Sequence, residues 1–212
     1  MSERIDEIES RLREMGAPAE QEESHDGDAP AEPVAAEPDA EPVAQHAAGE
    51  LQVPDGYSVL AGGVEGRRAV AVVVSRFNGE ITNRLLERAL AVLEEVGVAR
   101  DAILVMPVPG AFELPLAAMA LAKTRRYACV VALGCVIRGE TPHFDYVASE
   151  AASGLQLAAL ETGVPVSFGV LTVDTREQAE ERIDRAGDAV RTALEMADVF
   201  SQLRAQAAGG LH

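Results

Sequence analysis

The chain has little of what several large classes of protein require. Its 212 residues include no tryptophan, two cysteines and only 4% aromatic side chains. No run approaches the roughly 18 uninterrupted apolar residues of a membrane span, and the N-terminus is acidic and polar where a signal peptide is basic and then apolar. We therefore expect neither a membrane protein nor a disulfide scaffold, but a cytoplasmic chain with one main folded domain.

The two cysteines are not expected to be bonded to each other. Cys129 and Cys135 lie six residues apart in one apolar run. In a strand this even spacing puts both side chains on one face, about 20 Å apart, which is well beyond the reach of a disulfide. The prediction is two buried structural thiols.

Basic side chains are scarce, and the acidic excess is concentrated at one end of the chain. The formal net charge is −17. Residues 1–56 contain 16 acidic and 3 basic side chains, a net charge of −13, whereas the other residues contain 19 and 15, a net charge of −4. The acidity belongs to the N-terminal segment, and the charge balance argues against a nucleic-acid partner.

The N-terminal segment divides into two parts by composition. Residues 1–16 carry apolar residues at helical spacing from Ile5 to Met15, which predicts a short amphipathic helix. Residues 17–56 are mostly Ala, Pro, Glu and Asp, which predicts a disordered acidic linker. The helix either docks on a partner or on copies of itself, or is a solvated appendage. The main domain is assigned to residues 57–212.

From Arg68 onwards, short β-branched runs alternate with longer helical patterns, which is typical of βαβ units and a parallel sheet. The predicted strands are 69–75, 102–108, 127–137 and 165–172. The predicted helices are 81–97, 114–123, 144–163, 176–183 and 186–205. In a doubly wound sheet ligands bind outside the carboxyl ends of the strands, so the functional residues are expected just after each strand.

The junction after the third predicted strand, GCVIRGETPH (134–143), is the most informative. Its spacing matches a Walker A loop, except that Glu140 stands where the phosphate-binding lysine would be, which disfavours ATP hydrolysis. Thr141 is predicted to cap the following helix, with Pro142 at its first position. The free N–H groups and the helix dipole then favour a single phosphate.

Four side chains near the strand ends are candidates for a role in a site. His143 falls in the first helical turn, where the positive helix end disfavours imidazolium and suits a proton carrier, or it merely satisfies the helix end. Phe77 and Phe112 each follow a strand and offer faces for a flat heterocycle, or belong to the core. Arg182 either meets a phosphate or is a solvated helical charge.

Taken together, these segments resemble the lumazine synthase family over about residues 57–205. The resemblance is carried by RFN (76–78), VPGAFELP (108–115), ALGCVIRGETPHFDYV (132–147), GVLT (169–172) and EQAEERI (177–183). It implies a flavodoxin-like, three-layer α/β/α fold with a four-stranded parallel sheet, preceded here by the disordered acidic extension.

The resemblance also implies an activity and a set of site residues. The family condenses 5-amino-6-(D-ribitylamino)uracil with 3,4-dihydroxy-2-butanone 4-phosphate in riboflavin biosynthesis, with no metal or redox cofactor. His143 is implied as the proton carrier. The implied contacts to the ribitylaminouracil are Phe77, Ala111, Phe112, Glu113, Cys135, Val136, Ile137 and Phe168. The implied contacts to the butanone phosphate are Glu140, Thr141 and Arg182.

The family assembles as pentamers whose sites form between neighbouring subunits, so the resemblance implies a homo-oligomer. Whether pentamers assemble further into an icosahedral 60-mer, and whether a riboflavin synthase is enclosed, stays open at this point. One segment departs from the family pattern: RAGDAV (185–190) lacks a lysine that many members carry beside the phosphate. Two alternatives stay open at this point. They are a non-catalytic shell or scaffold protein of the same fold, and a related enzyme that forms riboflavin from lumazine.

Overall fold

A computed structural model describes residues 53–56, 58–65 and 68–209. The predicted N-terminal helix and most of the acidic linker lie outside the described residues. Within the described part of the chain, no helix is long and apolar enough to cross a membrane.

Strands and helices alternate along the chain, as the sequence pattern predicts. The strands are β1 (Val70–Ser75), β2 (Ile103–Val108), β3 (Cys129–Ile137) and β4 (Val166–Val173). The helices are α1 (Gly79–Glu95), α2 (Leu114–Lys123), α3 (His143–Thr162), α4 (Arg176–Glu180) and α5 (Arg185–Gly209). Single 3-10 turns precede β2 at Arg100–Ala102 and α2 at Ala111–Glu113.

The predicted helix over 176–183 is wrong at its C-terminal end. Helix α4 stops at Glu180, and the chain continues through turns to the start of α5. The turn bonds run three residues back, from the N–H of Arg182 to the carbonyl of Ala179 and from the N–H of Arg185 to the carbonyl of Arg182, at 3.1 and 3.0 Å. This tighter 3-10 pattern ends the α-helix and leaves Arg182 in a turn.

The four strands form one parallel sheet in the order β2-β1-β3-β4. The chain adds β2 on one side of β1 and then returns to add β3 on the other side. This reversal creates a switch point between the carboxyl ends of β1 and β3, which is where doubly wound sheets bind ligands. The predicted four-stranded parallel sheet is confirmed.

Helices cover both faces of the sheet, which confirms the three-layer fold. Alternate residues of a strand point to opposite faces, so Val70, Val72 and Val74 pack with α1 and α5. Ala71 and Val73 pack with α2 and α3 on the other face. Because both faces are buried, the central strands read as continuous apolar runs.

Both cysteines are free and buried on one face of β3, in the core formed with α1 and α5. Burial raises the pKa of Cys129 to about 12 and that of Cys135 to about 11, because a thiolate loses its hydration there. The prediction of two buried structural thiols is confirmed.

Candidate active site

A cavity of about 520 Å³ opens at the switch point of the sheet. Its walls come from the carboxyl ends of β1 and β3, the 3-10 turn before α2, and the first turns of α3. It is lined by Phe77, Gly110, Ala111, Phe112, Glu113, Cys135, Val136, Ile137, Gly139, Thr141, His143, Phe144, Tyr146 and Val147.

The segment after β1 is fixed by hydrogen bonds to its neighbours in the sheet. The N–H groups of Arg76 and Phe77 donate to the carbonyls of Val108 and Pro109, at 2.8 and 3.1 Å. The Phe77 side chain itself is 70% exposed. Its ring is therefore held at the cavity mouth by its backbone while its face stays open.

Asn78 connects this segment to β3 and was missed by the sequence reasoning. Its φ of 56° is left-handed, a conformation that asparagine tolerates better than most residues. Its Nδ2 donates to the carbonyl oxygen of Cys135 at 3.0 Å. Asparagine followed by glycine just before a helix indicates such a turn. The hydrogen-bond partner of Asn78, 57 residues away, could not be predicted from the sequence.

The turn before α2 holds a carboxylate against its own backbone. The N–H of Gly110 donates to Oε2 of Glu113 at 2.9 Å. Ala111 is buried and Phe112 is 57% exposed, so this turn places a small buried side chain next to an exposed aromatic ring. The fixed carboxylate of Glu113 gives this wall a hydrogen-bond acceptor.

The segment between β3 and α3 differs in two details from the prediction. Helix α3 begins at His143 and no side chain caps it, so the predicted role of Thr141 as the cap is wrong. The predicted place of Pro142 at the first helical position is wrong as well, because Pro142 precedes the helix. Pro142 already has helical backbone angles, with φ −64°, and its carbonyl accepts from the N–H of Asp145 at 3.0 Å. Thr141 is thereby moved one residue further from the helix.

The start of α3 still offers the groups that favour an anion. The amides of a first helical turn lack intrahelical acceptors, and the helix dipole adds partial positive charge. Thr141 and His143 both line the cavity at this point, and both are exposed. An anion and an imidazole can thus share one wall.

Three of the implied site residues are not among those that line the cavity. The Glu140 side chain is exposed on the segment before α3. Phe168 pairs with Ala132 in the sheet, five residues before Ile137 and so roughly 16 Å back along the strand. The Arg182 guanidinium donates to the carbonyl of Gln178 at 2.8 Å and lies 3.4 Å from the Glu181 carboxylate.

Several lining residues were not identified from the sequence, namely Gly110, Gly139, Phe144, Tyr146 and Val147. Tyr146 and Val147 follow His143 by three and four residues on α3. Residues at this spacing share one face of a helix, so the helical period together with His143 was a usable signal for both.

The fold and the site define an α/β protein of the doubly wound type. Its cavity suits a flat ring beside an anion, because exposed aromatic faces stand near an imidazole and a helix N-terminus.

Comparison with known proteins identifies the particular family. The model of the 6,7-dimethyl-8-ribityllumazine synthase family matches residues 67–201. The chain is also 50% identical over 137 residues to a 6,7-dimethyl-8-ribityllumazine synthase of Syntrophus aciditrophicus (strain SB), a match that covers 62% of this chain and 89% of that protein. The chain belongs to the 6,7-dimethyl-8-ribityllumazine synthase family. Every residue that lines the cavity lies within the matched range.

Proposed function

We propose that this cavity condenses 5-amino-6-(D-ribitylamino)uracil with 3,4-dihydroxy-2-butanone 4-phosphate. The product is 6,7-dimethyl-8-ribityllumazine, released with phosphate and water, and the reaction belongs to riboflavin biosynthesis. The observation that carries the proposal is one cavity in a chain of this family in which His143, a helix N-terminus and two open phenylalanine rings converge.

The pyrimidine is proposed to bind on the aromatic side of the cavity. The exposed face of Phe77 is available to stack on a flat ring. Ala111, Phe112 and Glu113 form the adjoining wall, with the Glu113 carboxylate held in place by Gly110. Main-chain groups of Cys135, Val136 and Ile137 are proposed to contact the ring from the end of β3.

The phosphate of the butanone is proposed to bind at the start of α3. The N–H groups of Glu140 and Thr141 precede the first helical turn, where the helix dipole favours an anion. Arg182 supplies the opposite charge in this proposal. Because phosphate is the leaving group, a site that holds it firmly also assists its departure.

His143 is proposed to carry protons through the reaction. The 5-amino group attacks the ketone to form an imine with loss of one water, phosphate leaves by elimination, and ring closure releases a second water. Each step moves a proton, and general acid–base catalysis by one group contributes about 10²- to 10⁴-fold. The remaining acceleration comes from holding two small molecules together in one cavity.

A neighbouring copy of the chain is proposed to complete the site, as part of a homopentamer. The Phe168 ring is 46% exposed and too far along β4 to reach the cavity of its own chain. Within the cavity, Phe77, Phe112 and Tyr146 are 70%, 57% and 68% exposed, which is typical of a surface that a partner covers. A 60-mer, a riboflavin synthase partner and a cytoplasmic location remain predictions.

The activity is tested with purified protein and both substrates, by following the absorbance and fluorescence of the lumazine. We expect product only when both substrates are present, together with one phosphate released per lumazine. Slow uncatalysed condensation is subtracted with a heat-denatured sample. A rate equal to that of the denatured sample would refute the proposed function.

The shared site is tested by complementation. His143→Ala and Arg182→Ala are each expected to have lower activity than the parent. The assemblies of the two variants are then dissociated, mixed in equal amounts and reassembled. If the two residues come from adjacent copies, random mixing restores about a quarter of the sites. If both residues serve the cavity of their own chain, the mixture is no more active than the average of the two variants.

A further inference from the structure

Arg138 joins three elements beside the cavity without lining it. Its Nε donates to Oδ1 of Asp174 at 2.8 Å, just after β4, and its Nη1 donates to Oδ1 of Asp145 at 3.1 Å, in the first turn of α3. Its guanidinium carbon lies 4.1 Å from the centre of the Phe144 ring. The N–H of Arg138 also donates to the carbonyl of Val173 at 2.9 Å.

The partner on the β4 side is itself held in place. The N–H of Asp174 donates to the side-chain oxygen of Gln178 on α4 at 2.9 Å. The hydrogen bonds to Asp174 and then Asp145 raise the pKa of Arg138 above its usual value, so the guanidinium stays charged at any working pH. Arg138 thus bridges α3 to a fixed strand end.

A direct role for Arg138 in binding the substrate phosphate is disfavoured. Two carboxylates already take its donors and balance its charge, and it is not among the residues that line the cavity. By contrast, Phe144, on whose ring it stacks, does line the cavity and directly follows His143.

We propose that Arg138 is a positioning residue for the condensation. It clamps residues 139–142 and the first turn of α3 to the end of β4, so that the phosphate-binding amides and His143 face the reacting atoms correctly. The proposal rests on the proposed function, and it assigns no contact between Arg138 and a substrate.

The clamp is expected to act on catalysis more than on stability. Exposed ion pairs contribute little to folding because water and salt screen them, and the Arg138 side chain is 45% exposed. Catalysis is far more sensitive, because a misplacement of about 1 Å can lower a rate by roughly a hundred-fold.

The test compares Arg138→Ala, Arg138→Lys, Asp174→Ala and the Arg138→Ala/Asp174→Ala double variant with the parent. The matched control is Arg100→Ala, because Arg100 also donates to a carboxylate, that of Glu94 at 2.9 Å, but from the 3-10 turn before β2 and away from the cavity. The measurements are kcat and KM for each substrate, together with hydrogen exchange of the amides in residues 139–147.

We expect Arg138→Ala to lower kcat about ten-fold while KM for the uracil substrate and the unfolding temperature stay near those of the parent. Exchange of amides 139–147 should be faster, and Arg138→Lys should recover part of both effects. The double variant should be no slower than Arg138→Ala, because residues that act as one unit are not additive. Arg100→Ala should match the parent.

Three results would overturn the proposal. The first is parental kcat and parental exchange in Arg138→Ala. The second is multiplicative loss in the double variant. The third is a rise confined to KM for the butanone phosphate, which would make Arg138 a phosphate ligand. If the parent forms no lumazine, the proposed function fails, and the exchange measurement alone decides whether Arg138 orders the segment.

Discussion

The core of the domain and its cavity differ in their aromatic side chains. Within the described residues, the buried core consists of Val, Ala, Leu, Ile and Cys, without an aromatic ring. The cavity, in contrast, takes four of the seven aromatic side chains in that part of the chain, namely Phe77, Phe112, Phe144 and Tyr146. The scarce aromatics are therefore placed where a ligand or a neighbouring copy can cover them.

The difference between the two regions has a physical reason. Packing around a parallel sheet favours branched aliphatic side chains, which fill both faces without a polar group. A ring left open to water forgoes the burial that would stabilise the fold, so its position is better explained by a flat ligand or an apolar partner. Changes in the core should thus affect stability, and changes in the cavity should affect turnover.

The largest expected effect is the loss of a core side chain. Leu85 on α1 is fully buried, so Leu85→Ala should lower the free energy of unfolding by about 2–5 kcal/mol. KM for both substrates should be unchanged in the folded fraction. Urea denaturation gives the first quantity and steady-state kinetics the second. The control is Leu203→Ala, at a position that is 46% exposed. An equal loss of unfolding free energy in Leu203→Ala would contradict the view that the core determines stability.

Removal of the proposed proton carrier should act only on turnover. His143 is exposed at the start of α3, so His143→Ala should leave the unfolding midpoint unchanged. Its single-turnover rate should fall about a hundred-fold without reaching zero, because proximity still contributes. The control is Gln156→Ala, at an exposed position on the same helix. A parental single-turnover rate in His143→Ala would remove the residue from the mechanism.

Removal of an exposed aromatic ring should weaken the binding of one substrate and not of the other. Phe77→Ala is expected to raise KM for the uracil substrate roughly thirty-fold, the equivalent of about 2 kcal/mol of stacking on a base. KM for the butanone phosphate should stay within about two-fold, since a phosphate gains nothing from a ring face. Phe77→Tyr keeps the face and should behave like the parent. Equal changes in both KM values would mean that the ring is structural.

The smallest expected effect is a change in how the free energy of unfolding depends on pH, and it comes from a core residue. The pKa of Cys129 is raised to about 12, so the unfolded thiol ionises first as the pH rises. Its contribution to stability is complete below the unfolded pKa and is lost as the pH rises towards 12. Between pH 8 and pH 10 the parent should lose on the order of 1 kcal/mol more than Cys129→Ala. An equal loss in both proteins would show that the thiol is not desolvated.

The local patterns in the chain predicted most of the fold and part of the site. Strands and helices followed from periodicity, and their bounds agree with the structure to within four residues. The differences arise because helix ends fray and turns compete with them. The GETPH run predicted the helix start that holds His143. The error at Thr141 came from Pro142, whose backbone is already helical in the structure although it precedes the helix.

Local patterns in the sequence could not predict which distant residues come into contact. The bond from Asn78 to Cys135 and the clamp from Arg138 to Asp174 join residues 57 and 36 positions apart. Both depend on which strands are neighbours and in which register they pair, and that is decided by how the whole sheet packs rather than by any one segment.

The sequence by itself determined the alternation of strands and helices, the separate acidic segment, the two structural thiols and the junction that carries His143. The reason is that each depends on residues close together in the chain. Only the tertiary structure decided that Phe77, Phe112, Phe144 and Tyr146 surround one cavity and that Phe168 stands outside it. Those positions depend on the order β2-β1-β3-β4, which brings the ends of β1 and β3 together and leaves Phe168 on the edge strand.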